Sequence, residues 1–213
     1  KPIRKTSEFV RGRDKGEKIR TNQDLAEREW SYIVEFQKRV GLRRAELKEL
    51  RKEDGLIDES GHFTVFVRNG KGRKKQQQRL NSEEDVEFIK RCFDAVGTGE
   101  QVFDDKYFRN DLNFHKLRAD SAKEYYAIQL DRILNEPGYA EKLESEIKKR
   151  WELFNINPKT GKPKKFPQSQ IQGWYVLRGD NRCKAIKEGR PLRYNRLAVM
   201  ATSIFKLSHW RCN

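Results

Sequence analysis

Two arginines, a lysine and a histidine fall in an order that could hold a phosphate. The first arginine, Arg43, stands in Gly41-Leu42-Arg43-Arg44-Ala45-Glu46. Helical register puts Glu46 one turn further on, where its carboxylate can orient the guanidinium. A basic turn follows at Asn69-Gly70-Lys71-Gly72-Arg73-Lys74-Lys75, with Lys71 at its tip. The third segment, Phe114-His115-Lys116-Leu117-Arg118, sets His115 and Arg118 three apart, on one face of a helix start. His209 and Trp210 stand near the end of the chain. Two planar guanidinium forks aimed at one phosphate would stabilise the added negative charge of a pentavalent transition state, each such donor being worth about 3 kcal/mol. Taken singly, each string has a plainer reading: a surface arginine at a helix start, a solvated basic turn, a helical surface pair.

The elements that must position these residues follow from periodicity and turn chemistry. Apolar residues from Leu25 to Val40 recur at helical spacing, giving a helix from a Thr21-Asn22 cap to about Arg39. Gly41 breaks it, and a short helix covers 44–51. Alternation over 62–67 predicts a strand, Asn69-Gly70 turns the chain, and 73–80 returns as a polar second strand. Ser82-Glu83-Glu84-Asp85 opens a helix to about Val96. A long helix covers 115–134, Glu136-Pro137-Gly138 ends it, and an amphipathic helix fills 139–154. Pro158, Gly161, Pro163, Pro167 and several lysines, Lys164 and Lys165 among them, make 155–170 an exposed basic loop. A short helix at 180–188 and a last one over 191–206 complete an α+β chain, mostly helical with a small antiparallel sheet.

Composition fits a polyanionic partner. The 213 residues carry 47 Lys+Arg against 32 Asp+Glu, a formal net charge of +15, which favours association with phosphates through counterion release. The aromatic content is too high for a disordered tail. Cys92, Cys183 and Cys212 are odd in number and widely spaced, with no CxxC, so neither a disulfide scaffold nor a zinc site is expected and the thiols read as reduced, in a cytosolic compartment. No apolar run approaches the roughly 18 residues of a membrane span. The chain opens at Lys1 without a methionine, which reads as an excised fragment.

The three boxes in this order resemble the catalytic domain of the tyrosine recombinases, the phage-integrase family, over about 22–135 and 192–213. The resemblance implies a family-type catalytic fold in 21–213, with residues 1–20 a basic arm or linker to a missing N-terminal DNA-binding domain. It implies that Arg43 and Arg118 bind the scissile phosphate, that Lys71 (Lys74 in reserve) protonates the leaving 5′-oxygen, and that His115 bonds the phosphate or takes the tyrosine proton. His209 fills the family's His/Trp position, with Trp210 as a packing aromatic and Glu46 in support. Arg44, Arg73, Lys74, Lys75, Lys116, Lys164 and Lys165 would touch DNA. Two departures stand out. Ser208 precedes His209 where the family usually has glycine, and the stretch from Arg118 to His209 is far longer than usual. The surplus, about 136–190, reads as a helical insertion. The nucleophilic tyrosine would follow His209 beyond Asn213, so the chain as it stands should form no covalent adduct. The implied protein is a mobile-element integrase (transposon or phage) in the bacterial cytoplasm, on the nucleoid. It would cut and rejoin double-stranded DNA through a 3′-phosphotyrosyl bond, with no metal or other cofactor, and form a synaptic tetramer in its full-length form.

Two other classes compete. One is a non-catalytic DNA-binding protein or regulator that kept the recombinase fold. The other is an RNA-binding or ribosome-associated basic domain, against which the absence of aromatic-basic RNP strings counts. A tyrosine within the residues after Asn213 separates the enzyme from the regulator.

Overall fold

The computed structural model describes residues 26–70, 74–108, 112–157 and 159–207. Residues 26–29 are helical and lead through Trp30 into α1 (Ser31–Val40). Its buried residues Ile33, Val34, Phe36, Gln37 and Val40 lie three and four apart, the spacing of one helical stripe. Gly41 ends α1 at φ 74°, with its N–H donating to the Gln37 carbonyl at 2.8 Å. Only glycine takes that conformation without strain. The short α2 (Arg44–Lys48) follows at once.

A three-stranded antiparallel sheet comes next, in the order β1 (Gly55–Ile57), β2 (Phe63–Gly70), β3 (Lys74–Arg79). The β2–β3 register slips between Val67 and Gly70, so the pair is bulged toward the end of β2. Helix α3 (Val86–Asp94), the long α4 (Phe114–Asn135) and α5 (Tyr139–Phe154) follow. A two-stranded ribbon of β4 (Trp174–Val176) and β5 (Arg193–Asn195) flanks α6 (Gly179–Lys187). Helix α7 (Arg196–Ala201) then widens into a π-turn over Thr202–Lys206.

Two apolar clusters sit under these elements. The first joins α1, α2, the sheet, α3 and the start of α4 through Phe36, Leu47, Val65, Ile89, Phe103 and Leu117. The second joins α4, α5 and the last helix through Tyr125, Leu143, Ile147, Trp151, Met200 and Phe205. Helix α5, read from the sequence as part of an insertion, is therefore built into the core.

The chain is α+β and mostly helical with small antiparallel sheets. The helices over 114–135 and 139–154 match their sequence expectations closely, and the strand pair forms, but Asn69-Gly70 does not turn the chain: β2 runs through Gly70, which pairs with Lys74. Residues 193–195 do not match the expected helix. They form β5 before α7 begins, because Asn195 caps that helix by accepting from the Ala198 N–H at 3.1 Å. The 44–51 helix stops at Lys48. The Thr21-Asn22 cap and the 1–20 arm lie outside the described residues.

A buried charged lattice fixes α5 to the sheet. Asp58, in the β1–β2 turn, accepts from the Ser60 and His62 N–H groups at 2.8 and 3.0 Å. Its other oxygen accepts from Arg79 and Arg150, each at 2.8 Å. Arg150 also reaches Glu59 at 2.6 Å, and Glu146 meets Arg79 at 2.5 Å and the His62 ring at 3.4 Å. Burial pushes the Glu146 carboxyl up, but hydrogen bonds from His62 and Arg79 outweigh it and hold the group down at about 2. The hydrogen bond to Glu146 raises His62, against the opposing effects of burial and of Arg79. Glu146 stabilises the fold above its ordinary value of 4.5 and loses that contribution as pH falls toward about 2. His62 stabilises below its ordinary 6.5 and loses that contribution as pH rises through its raised value in the folded state. The gap in urea midpoint between the protein and its His62→Gln variant should therefore shrink as pH rises above 6.5. A gap independent of pH would contradict this linkage.

Candidate phosphate-binding site

Arg43 and Arg118 meet on one carboxylate. Glu46, buried at the third position of α2, accepts from the Arg43 backbone N–H at 2.8 Å and from the Arg43 guanidinium. Its Oε2 lies 3.7 Å from Arg118 Nη1. The α2 start supplies Arg43 and Glu46, and the second turn of α4 supplies Arg118. The site thus holds two guanidiniums against a single carboxylate, a surplus of positive charge suited to an anion.

Arg118 is the buried member. Its Nη1 donates to the Gly41 carbonyl, 77 positions away in sequence, and its Nη2 donates to the Leu207 carbonyl at 3.0 Å. Burial lowers its pKa to about 10, with Glu46 opposing the shift and Arg43 adding to it. It remains a cation at neutral pH. Arg43 is more open, its side chain 27% exposed against 6% for Arg118. The arrangement is one anchored fork beneath one fork that a ligand can reach.

Three residues outside the expected set, Gln37, Lys206 and Leu207, shape this corner. Gln37, fully buried, accepts from the Leu42 N–H at 3.0 Å and donates to the Leu42 carbonyl, pinning the turn that presents Arg43. It also reaches the Phe114 carbonyl at 3.5 Å, tying that turn to the start of α4. Lys206, fully buried, donates to the carbonyls of Arg39 and, at 3.3 Å, Arg79, joining the last helical turn to the ends of α1 and β3. Burial holds its pKa well below the ordinary lysine range. The π-turn, where the Leu207 N–H donates to the Thr202 carbonyl at 3.0 Å, brings the Leu207 carbonyl to Arg118. A local sequence signal existed only for Gln37, a polar residue on an otherwise apolar helical stripe.

Gly41 has no room for a side chain. A Cβ there would stand 3.1 Å from Ser121 Oγ and 3.3 Å from Lys206 Cε. Gly41→Ala should cost about 1–2 kcal/mol from the left-handed backbone alone, with the close contacts adding to it. Urea unfolding should show the loss, and an unchanged midpoint would contradict the packing described.

The remaining expected residues are distributed as follows. His115 is exposed on the first turn of α4, three residues before Arg118. Lys116 is exposed beside it, 3.6 Å from Glu27. The Arg44 guanidinium donates to the Phe108 carbonyl and stands 5.9 Å from the Phe114 ring centre, so it is engaged within the fold. Lys75 is exposed on β3, and Lys164 and Lys165 are exposed in the loop after α5. In that loop the Lys164 carbonyl accepts from Trp151 Nε1 at 2.7 Å. The Lys74 backbone pairs with Gly70; its side chain, with Lys71, Arg73, His209 and Trp210, lies outside the described residues. No group of three or more His, Cys, Asp or Glu arranged to hold a metal occurs among the described residues. Nor is any helix there long and apolar enough to cross a membrane.

Comparison of the chain with family models, curated proteins and solved structures gave no match.

Proposed function

We propose that the chain is the catalytic domain of a DNA-breaking and -rejoining enzyme of the tyrosine-recombinase type, an integrase of a mobile element. The observation that carries the reading is the meeting of Arg43 and Arg118 on Glu46. The resemblance requires two arginines distant in sequence to share one phosphate, and these two share one carboxylate. The ordinary alternative, two unrelated surface arginines, does not account for a buried Arg118 anchored to the turn that presents Arg43.

In this reading the scissile phosphate lies against Arg43, with Arg118 behind it. Both cations balance the charge that builds on the non-bridging oxygens as a tyrosine attacks phosphorus and the 5′-oxygen leaves. His115 lines the same helix start. By the resemblance, Lys71 donates the proton to the leaving oxygen and His209 takes the family's histidine role; both lie outside the described residues. The tyrosine comes from beyond Asn213, and the bond energy is kept in the phosphotyrosyl link, so no cofactor takes part. Double-stranded DNA is the partner, and assembly into a tetramer accompanies synapsis in the full-length protein.

Two measurements test the proposal. The protein extended through its natural tail should form a 3′-phosphotyrosyl adduct on a nicked duplex, and changing the first tyrosine past Asn213 to phenylalanine should abolish it. Duplex affinity should also fall steeply with salt, since log K changes by about −0.9 per neutralised phosphate. Steep binding with no adduct would favour the regulator, and shallow binding would count against both readings.

A further inference from the structure

The β4–α6–β5 excursion is folded firmly yet buries almost nothing. Of α6, only Ala185 is buried. A nine-residue helix with so little apolar contact gains little stability of its own. The ribbon beneath it is nevertheless fixed in place. The Asn195 N–H donates to the Tyr126 hydroxyl of α4 at 3.0 Å, and the Tyr194 and Tyr126 rings pack edge to face at 5.7 Å. The Leu177 N–H donates to the Leu192 carbonyl at 2.9 Å, closing the ribbon below α6.

What this rigid unit displays is positive charge around aromatic surface. Residues 172–196 hold seven Lys and Arg against two acidic residues. Arg178, Arg182, Lys184, Lys187 and Arg193 have no carboxylate partner among the described residues, although most other arginines in the fold do. Arg178 stands at the N-cap of α6, Arg182 lies on its first turn, and Lys184 and Lys187, three apart, share a row on another side of the helix. On the exposed face of the ribbon, the Arg193 guanidinium lies 4.8 Å over the Trp174 ring. Trp174, Tyr175 and Val176 are 37%, 46% and 45% exposed. Uncompensated cations on a firmly held support match a line of phosphates, whereas a protein partner would call for a more apolar centre.

We propose that the β4–α6–β5 unit is a second duplex-DNA surface, gripping backbone phosphates away from the Arg43–Arg118 corner. The proposal rests on the reading that duplex DNA is the partner, but not on strand chemistry. It adds affinity and footprint length without sequence readout, because its cations are exposed long side chains distributed around α6 and its N-cap.

The test compares the protein with a variant carrying Arg178→Gln, Arg182→Gln, Lys184→Gln and Lys187→Gln. All four positions are exposed, so the fold should survive. Binding to a 40-base-pair duplex is followed by anisotropy across a salt series, alongside sedimentation velocity without DNA. If the surface touches phosphates, the salt slope should become shallower by about 2–4, with at least a tenfold loss of affinity at moderate salt. An unchanged slope in the variant, with a steep slope in the parent, overturns the proposal and leaves the functional reading intact. Lost self-association with unchanged DNA binding also overturns it and makes the unit a contact between copies of the chain. A shallow slope in the parent itself would reject the functional reading first.

Discussion

Replacing Arg118 with lysine is expected to cut the rate of adduct formation by about 10²–10³ while changing duplex affinity by less than about threefold. The guanidinium donates through two different nitrogens, to Gly41 and to Leu207, and shares Glu46 with Arg43. A lysine keeps the charge in the same pocket but cannot hold both carbonyls and still face a phosphate, since its donors radiate from a single point. Most of the binding comes from the many other cations of a chain with net charge +15. Arg43→Ala should give a loss of the same order with a smaller effect on stability, because its side chain is more open. The double variant should lose far less than the product of the two single losses, as happens for residues that act as a unit. Equal losses in binding and cleavage for the Arg118→Lys protein would refute the division of labour.

The largest stability effect is expected at Asp58. Its side chain is fully buried and accepts from both Arg79 and Arg150, whose side chains are 6% and 2% exposed. Asp58→Ala leaves two buried guanidiniums against the sheet, with only Glu146 and Glu59 to answer them. Breaking a buried pair in this way costs about 3–5 kcal/mol, which for a chain of this size is a fall of about 10 °C in melting temperature. The control is Glu35→Ala, which removes a partly exposed pair with Arg39 and should cost less than about 1 kcal/mol. Similar shifts in the two variants would mean that the lattice does not hold α5 to the sheet.

The contrast between these two sites shows what the sequence could reveal. The Arg43–Glu46 spacing is local, three residues on one short helix, and it was legible. So was the pairing of the two strands, from the alternation of β2, but not the turn: Asn69 and Gly70 extend β2, and Gly70 pairs with Lys74. The 139–154 helix announced itself by its amphipathic period, and Pro137-Gly138 marked the break between the two long helices. What joins them was not legible. Asp58 meets Arg150 across 92 positions and Lys206 meets Arg39 across 167, and no window of sequence holds both partners. The strands of three residues carry no measurable period, so β1, β4 and β5 were missed. The surplus between the second arginine and the C-terminal histidine looked like one appended block. Its first helix is core, through Leu143, Ile147 and Trp151, and only the later ribbon and α6 stand out from the body.

The central claim is that Arg43 and Arg118 share one phosphate. The most direct measurement is a crystal structure of the extended protein on a nicked duplex, with vanadate joining the tyrosine to the 5′-hydroxyl in place of the transferring phosphate. The account predicts vanadate oxygens within about 3 Å of both guanidiniums, the hydrogen-bond distance of a charged pair, with Glu46 still bridging the two arginines. Vanadate bound elsewhere on the protein, or held by one of these arginines while the other remains turned away, would contradict it.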